Sequence, residues 1–356
     1  MYGVSGMGRG HASRSKVLID RLLTAGHEVR ILTSGTGTTY LKEFYPDKVT
    51  DILGLTFSID EEGIGIWRTL RKNFKEGDRL YPTMKEIQRA FKEFRPDLTI
   101  TDFEPFTPFV SRLHRVPFIS VDNIHILTAG KLSTPKAWRK DRLIANAVVR
   151  GVYTLPRRYV ISSFFFPELK KGQTRTALVG PLLREEALRQ QPKNNGHLLL
   201  YAPSETSGRV ILDLVRQAKK KAIAYGFPER GEQDGITFRE PCTETFLEDL
   251  ASCSAVITGG GHSLISEALY LGKPVYSVPI KGQFEQMLNG HELQKLGYGL
   301  YDLDPTKRRL IRFLKGIERF RTRIKDDQKK CPERFRGNED AFRIIDEEIA
   351  EATGKA

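Results

Sequence analysis

The sequence has 356 residues, 39% hydrophobic and 28% charged, with 57 Lys and Arg against 44 Asp and Glu for a net charge of +13. At ~150 residues per domain this length suits two domains, and the apolar fraction excludes a disordered chain. Cys242, Cys253 and Cys331 form no CxxC pair, which argues against a disulfide framework or a zinc–thiolate site and suits a reducing compartment.

The chain opens MYGVSGMGRGH, without a basic segment followed by an apolar stretch, so no secretory signal is expected. No run approaches the ~18 apolar residues that span a bilayer. Only Met1 to Val4 precede the first Gly-rich loop, and the true start is expected a few residues upstream. Ser13 to Ala25 reads as a helix stopped at Gly26, and His27 to Thr33 alternates like a strand. Tyr81 to Phe94 reads as a helix ended before Pro96, and Asp97 to Asp102 and Val116 to Val121 as short buried strands. This alternation predicts a parallel sheet wrapped by helices.

Gln190 to Gly196 lacks apolar residues and reads as a linker, after which His197 to Ala202 restarts the pattern. Val210 to Ala224 and Phe246 to Ser252 read as helices, and Ala255 to Thr258 as a strand entering Gly259-Gly-Gly261. Helix Ser263 to Leu271 and strand Lys273 to Val278 follow; beyond Pro305 only basic, helical sequence remains, interrupted near Pro332 and Gly337. Charge concentrates in two stretches: 131–158 holds eight Lys and Arg against Asp141 alone, and 307–336 holds thirteen against four acids. Such stretches suit nucleic acid, an anionic membrane surface or a phosphorylated substrate, or else a solvated helix face.

Each half thus carries one strand–glycine loop–helix junction, where backbone N–H groups and the helix dipole favour an anion. The first, Gly6-Met-Gly-Arg-Gly-His11, lacks the GxGxxG spacing of a dinucleotide fingerprint. In the second, Gly260 and Gly261 would admit a diphosphate, Ser263 would cap the helix, and Glu267 lies one turn further on the same face, ~5–6 Å along. Asp302-Leu-Asp304 spells DxD, but its place after Gly297-Tyr-Gly299 reads as a surface turn.

These blocks resemble GT-B glycosyltransferases of the MurG-like and UDP-glycosyltransferase-like superfamily, and most closely the prokaryotic subset with an N-terminal GxGxGHxxR loop. The carrying residues are GVSGMGRGHASR, PDLTITDFEP at 96–105, and 258–299, with Ser266-Glu267, Gly272-Lys-Pro274 and Glu285 to Asn289. The resemblance implies an α/β fold of two tandem Rossmann-like, doubly wound domains facing a cleft. Residues 1–182 would bind acceptor, 183–196 would link, and 197–310 would bind a nucleotide-sugar donor. Residues 311–356 would form basic helices packing back on the first domain.

The implied reaction is inverting, metal-independent transfer of a hexosyl or N-acetylhexosaminyl group from a nucleotide diphosphate sugar, typically a UDP-sugar. The acceptor would be a hydroxyl, with a lipid-linked or cell-envelope glycan as one form. No cofactor and no metal is expected. His11 is the implied base and Asp102 its orienting partner. An inverting displacement at a hydroxyl of very high pKa benefits from such a base. The donor side comprises Gly260, Gly261, His262, Ser263, Glu267, Glu285, Gln286, Ser204 and Thr206; the acceptor side comprises Gly8, Gly10, Arg14, Asn123 and His125. The expected partners are the donor, the acceptor and an anionic membrane surface, toward which Trp138 in 131–158 is a candidate anchor, with no nucleic acid. The expected location is cytoplasmic or peripheral at the inner face of the membrane. Two alternatives stand: a UDP-N-acetylglucosamine 2-epimerase type using Asp102 and Glu104, and a non-catalytic sugar-nucleotide binder.

Overall fold

Strands buried on both faces belong in parallel sheets covered by helices, and the computed structural model contains two such sheets. It describes residues 1–54, 59–60, 63–64, 77–152, 155–202, 205–240 and 242–354. The chain divides into one unit of Met1–Arg184 with Gly337–Ala356, and a second of Glu185–Arg336.

The first unit holds β1 (Tyr2–Val4), β2 (Ile31–Thr33), β3 (Val49–Asp51), β4 (Thr99–Asp102), β5 (Phe118–Asp122), β6 (Arg158–Ser162) and β7 (Thr176–Val179). All are parallel, in the order β3-β2-β1-β4-β5-β6-β7. The chain builds outward from β1 to β3, then returns to the other side of β1 to place β4. The crevice beyond the strand ends at β1 and β4 is therefore a topological switch point, where α/β sheets bind ligands. Helix α1 (Arg9–Thr24) follows β1 and α2 (Phe106–Leu113) follows β4.

The second unit repeats the plan with β8 (Leu198–Tyr201), β9 (Ala222–Tyr225), β10 (Gly231–Gln233), β11 (Ile236–Arg239), β12 (Ala255–Thr258), β13 (Val275–Ser277) and β14 (Gly299–Tyr301). Their order is β10-β11-β9-β8-β12-β13-β14, with only β10 antiparallel to its neighbour. Its switch point lies between β8 and β12, and the loop after β12 is Gly259–Gly261. Helices α3 (His262–Tyr270), α4 (Phe284–Leu296) and α5 (Lys307–Lys330) complete this unit, and α6 (Asn338–Ala352) returns to the first.

Packing corrects several sequence expectations. The basic C-terminal segment is divided: Leu310, Phe313 and Phe320 of α5 are buried in the core of the second unit, while Ala341, Ile344 and Ile345 of α6 complete the core of the first. Asn338 fixes α6 with a reciprocal pair to Leu183, Oδ1 accepting from its N–H at 2.9 Å and Nδ2 donating to its C=O at 2.8 Å. The expected linker 190–196 is bonded to the second unit, with Lys193 N–H donating to Ala251 C=O and Asn195 N–H to Ser252 C=O, each 2.8 Å. The helix expected over Val210–Ala224 occupies Glu205–Gln217 instead, because Ala222–Tyr225 is a central strand between β8 and β11.

Candidate active site

Parallel register places Val4 beside Asp102, so the loop leaving β1 and the carboxylate ending β4 meet at the switch point. Gly8, exposed and at φ 73°, takes the left-handed N-cap position of α1. His11, one turn into α1, points Nδ1 at Asp102 Oδ1 at 2.8 Å. Arg14, one further turn, grips the same carboxylate as a fork, with Nη2 donating to Oδ1 at 2.6 Å and Nε to Oδ2 at 3.0 Å. Ser15 Oγ adds a bond to Oδ2 at 3.2 Å. Asp102 is fully buried and Arg14 nearly so, whereas the His11 side chain keeps 19% of its surface exposed.

Burial acts most strongly on Asp102 and opposes its ionisation, but the charges and hydrogen bonds of Arg14 and His11 outweigh it and hold the carboxyl below its usual range. An anionic Asp102 can only accept, so Nδ1 of His11 at 2.8 Å is assigned as the donor to it, and the Arg14 Nη2 contact with Nδ1 at 3.2 Å then joins two donors and is not a hydrogen bond. That tautomer leaves Nε2 as the lone-pair nitrogen of a ring that stacks on Phe103 at 5.9 Å and 13°. Phe103 reaches this position through φ 55°, a left-handed conformation that bulky residues rarely adopt. Arg14 was expected on the acceptor side; its guanidinium is instead committed to Asp102. Gly10 is half-buried in the first turn of α1.

Neither carboxylate needed by the epimerase reading is free for acid–base work. Asp102 is held as described, and Glu104 accepts from the N–H groups of Phe106 at 2.8 Å and Thr107 at 2.7 Å, capping α2. Burial raises the Glu104 pKa, partly countered by those bonds.

One strand along, His125 forms a second such pair: its Nδ1 donates to Asp122 Oδ2 at 2.7 Å and its N–H to Oδ1 at 2.9 Å, with Ser120 Oγ donating to Oδ2 at 2.6 Å. Burial pushes the Asp122 carboxyl up, but the His125 charge and these bonds bring it down to about 2. His125 is 3% and Asn123 1% exposed, the latter donating Nδ2 to Ser162 C=O at 3.2 Å. Both belong to the packed base of the site more than to a wall facing an acceptor.

In the second unit the glycine loop is clamped from below. Ser277 Oγ donates to Gly259 C=O at 3.1 Å, and Asn289 Nδ2 to Gly260 C=O at 2.9 Å. Gln286 Oε1 accepts from the N–H groups of Gly260 at 3.4 Å and Ile280 at 3.2 Å. A Cβ at Gly260 would lie 2.3 Å from Gln286 C=O, whereas one at Gly261 would meet open space. Gly260 is thus required by packing, and Gly261 supplies the open approach. Gly260→Ala is accordingly expected to cost about 1–3 kcal/mol in urea unfolding and to disrupt nucleotide binding, while Gly261→Ala keeps the stability.

Gly261 is also the N-cap of α3, so the expected Ser263 cap is corrected: Ser263 is already the second helical residue. With no side-chain cap, the first-turn donors of the helix lie at the end of β12, at this unit's own switch point. His262 is buried, with Nε2 3.5 Å from Ser266 Oγ, and Glu267 is 5% exposed on α3. Glu285 and Gln286 are half-buried in the first turn of α4. Thr206 falls in the helix after β8, and Ser204 lies outside the described residues.

Asp302 of the DxD sequence accepts from Tyr276 Oη at 2.7 Å and Arg309 Nε at 2.8 Å, and a surface bend with exposed Asp304 follows it. In 131–158, Trp138 is only 6% exposed and so cannot anchor, and Lys131 pairs with Glu168, Arg157 and Arg158 with Glu348. The partners lie far along the sequence, which a local charge count misses.

Two α/β units, each with a glycine loop at its switch point, define the GT-B class of glycosyltransferase. The glycosyltransferase VinC in complex with dTDP is similar over 100% of this chain and 99% of its own (TM-score 0.62, 15% identity). Arabidopsis thaliana UGT89C1 complexed with UDP-L-rhamnose is similar over 99% and 98% (TM-score 0.62, 17% identity). An uncharacterized glycosyltransferase of Methanosarcina acetivorans is 25% identical over 84% of each chain. The profile of Glycosyl transferase family 1 matches residues 1–318, and the chain belongs to that family. Among the described residues, no helix is long and apolar enough to cross a membrane.

Proposed function

We propose that this glycosyltransferase transfers a sugar from a nucleotide diphosphate sugar, a UDP-sugar in the first instance, to a hydroxyl acceptor with inversion and without a metal. The observation carrying this reading is the His11–Asp102 pair at 2.8 Å, in which the His11 side chain keeps 19% of its surface exposed. As the acceptor oxygen attacks the anomeric carbon, Nε2 takes its proton and Asp102 stabilises the imidazolium formed. Arg14 keeps Asp102 ionised for this role. The bond to the nucleotide diphosphate breaks on the opposite face, and the Gly261 backbone with the start of α3 would receive the leaving charge. Glu267 would hold the ribose hydroxyls.

A thermal-shift screen of UDP-, GDP- and dTDP-sugars tests the donor, since a ligand specific to the folded state adds about 2.7 kcal/mol at a hundredfold excess over its Kd. UDP-sugars are expected to give the largest shift. Glu267→Ala is expected to weaken nucleotide affinity about 10-fold or more by calorimetry, as loss of charged hydrogen bonds does. Retained affinity would remove Glu267 from the site. An acceptor presented on an anionic membrane is a second reading, favoured by Leu143, 62% exposed and one helical turn from Arg139 and Lys140. Failure to sediment with anionic vesicles at low salt would remove it.

A further inference from the structure

The second basic stretch is not absorbed by the reaction, and its arrangement on α5 is specific. Between α5 and the segment entering β14 lies a cavity of about 450 Å³, lined by Arg309, Arg312, Arg319 and Arg323 together with Gln294 and Phe320. No acidic side chain lines it. Every basic residue at its wall is Arg, whereas the other basic positions of α5 are mostly Lys: Lys307, Lys315, Lys325, Lys329 and Lys330, with Arg308 and Arg321. Guanidinium offers a planar fork that matches phosphate oxygens in pairs, which an ammonium does not.

Two of the four are held in place by carboxylates. Arg309 Nε lies 2.8 Å from Asp302 Oδ1, and Arg323 Nη2 lies 3.0 Å from Asp327 Oδ2. The other two carry uncompensated charge: Arg312 and Arg319 have no acidic partner among the described residues, and Arg319 rests over the Phe320 ring at 5.0 Å. Gln294 Oε1 accepts from Tyr301 N–H at 3.4 Å, which leaves its NH₂ group as the donor it can offer. The cavity is separate from the donor loop. It sits at edge strand β14, beyond β13, while Gly259–Gly261 follow β12. Its volume is in the ~300–1,000 Å³ range of small-molecule sites.

We infer that this Arg-lined cavity is a second anion site, taking a group with two or more phosphoryl units. Calorimetry with inorganic tripolyphosphate tests it, on the full chain with the donor site saturated by UDP. Binding is expected to persist under UDP and to weaken about 10-fold or more in Arg312→Gln/Arg319→Gln. Both residues are exposed, so the variant is expected to keep the wild-type Tm and UDP affinity. Lys329→Gln/Lys330→Gln removes equal charge from the same helix and is expected to bind tripolyphosphate normally. No binding under UDP, or equal loss in both variants, would overturn the inference. Cosedimentation with phosphatidylcholine vesicles containing phosphatidylglycerol assigns the source of the phosphate. Sedimentation lost only in the arginine variant identifies a lipid headgroup, whereas tripolyphosphate binding without such sedimentation identifies a soluble phosphate compound.

Discussion

Replacing His11 by Ala is expected to lower kcat by roughly 10²–10⁴-fold while leaving nucleotide affinity within about 2-fold of wild type. The imidazole is partly exposed and its loss strands no buried charge, since Arg14 still holds Asp102. Stability should therefore change little, which separates a chemical defect from a folding one. Steady-state kinetics on a transferring donor–acceptor pair, with UDP titration of the same preparation, makes the measurement. Turnover equal to wild type would remove His11 from the reaction.

Asp102→Ala is expected to act on both levels. It removes the carboxylate paired with a nearly buried guanidinium, and breaking a buried pair by deleting one member costs about 3–5 kcal/mol. It also frees the tautomer of His11, so kcat should fall in whatever folded protein remains. Urea unfolding reads the first effect. Asp102→Asn keeps the shape and is expected to retain more stability than Asp102→Ala while losing comparable activity, an order that a merely structural carboxylate would not produce.

The pH dependence has a definite sign. Asp102 and Asp122 both have folded-state pKa values below those of an unfolded carboxylate, about 3.9. Each contributes stability above the unfolded value and loses it as pH falls through the folded one. For Asp122 that window runs down to about 2, and Asp122→Asn should flatten the acid limb of a Tm-against-pH curve there.

Much of this architecture is legible in the sequence because parallel sheets write themselves as short apolar runs between glycine and proline breaks. The two glycine loops each join a strand to a helix, as their sequence contexts suggested, and the strand order then places each at a switch point. Legibility ended where tertiary context overrode local pattern. Ala222–Tyr225 reads as the tail of a helix, yet Lys219 at φ 50° ends that helix and the sheet claims the segment. The hairpin that follows carries an Asp234-Gly235 turn, a recognisable signal that the sequence reading passed over.

In the site, His11 and Asp102 were reached through resemblance, being 91 residues apart. Arg14 was noted but misplaced, because a fork onto a carboxylate from another strand leaves no local trace. Phe103 could not be found at all: nothing in its neighbours announces a left-handed aromatic residue stacked on an imidazole. Asp122 was missed as the partner of His125, although a spacing of three residues after a strand could have suggested the pair. The basic stretch 307–336 was visible only as charge, and its arginines became a cavity once α5 packed beside β14.

The central claim is that His11 activates an acceptor hydroxyl toward a bound nucleotide sugar. It is tested most directly by following UDP release from a UDP-sugar with and without a panel of hydroxyl acceptors, in the wild-type protein and in His11→Ala. The expected result is release by wild type that depends on acceptor and is lost in His11→Ala. Acceptor-independent conversion of the sugar nucleotide, or equal acceptor-dependent release by both proteins, would contradict it.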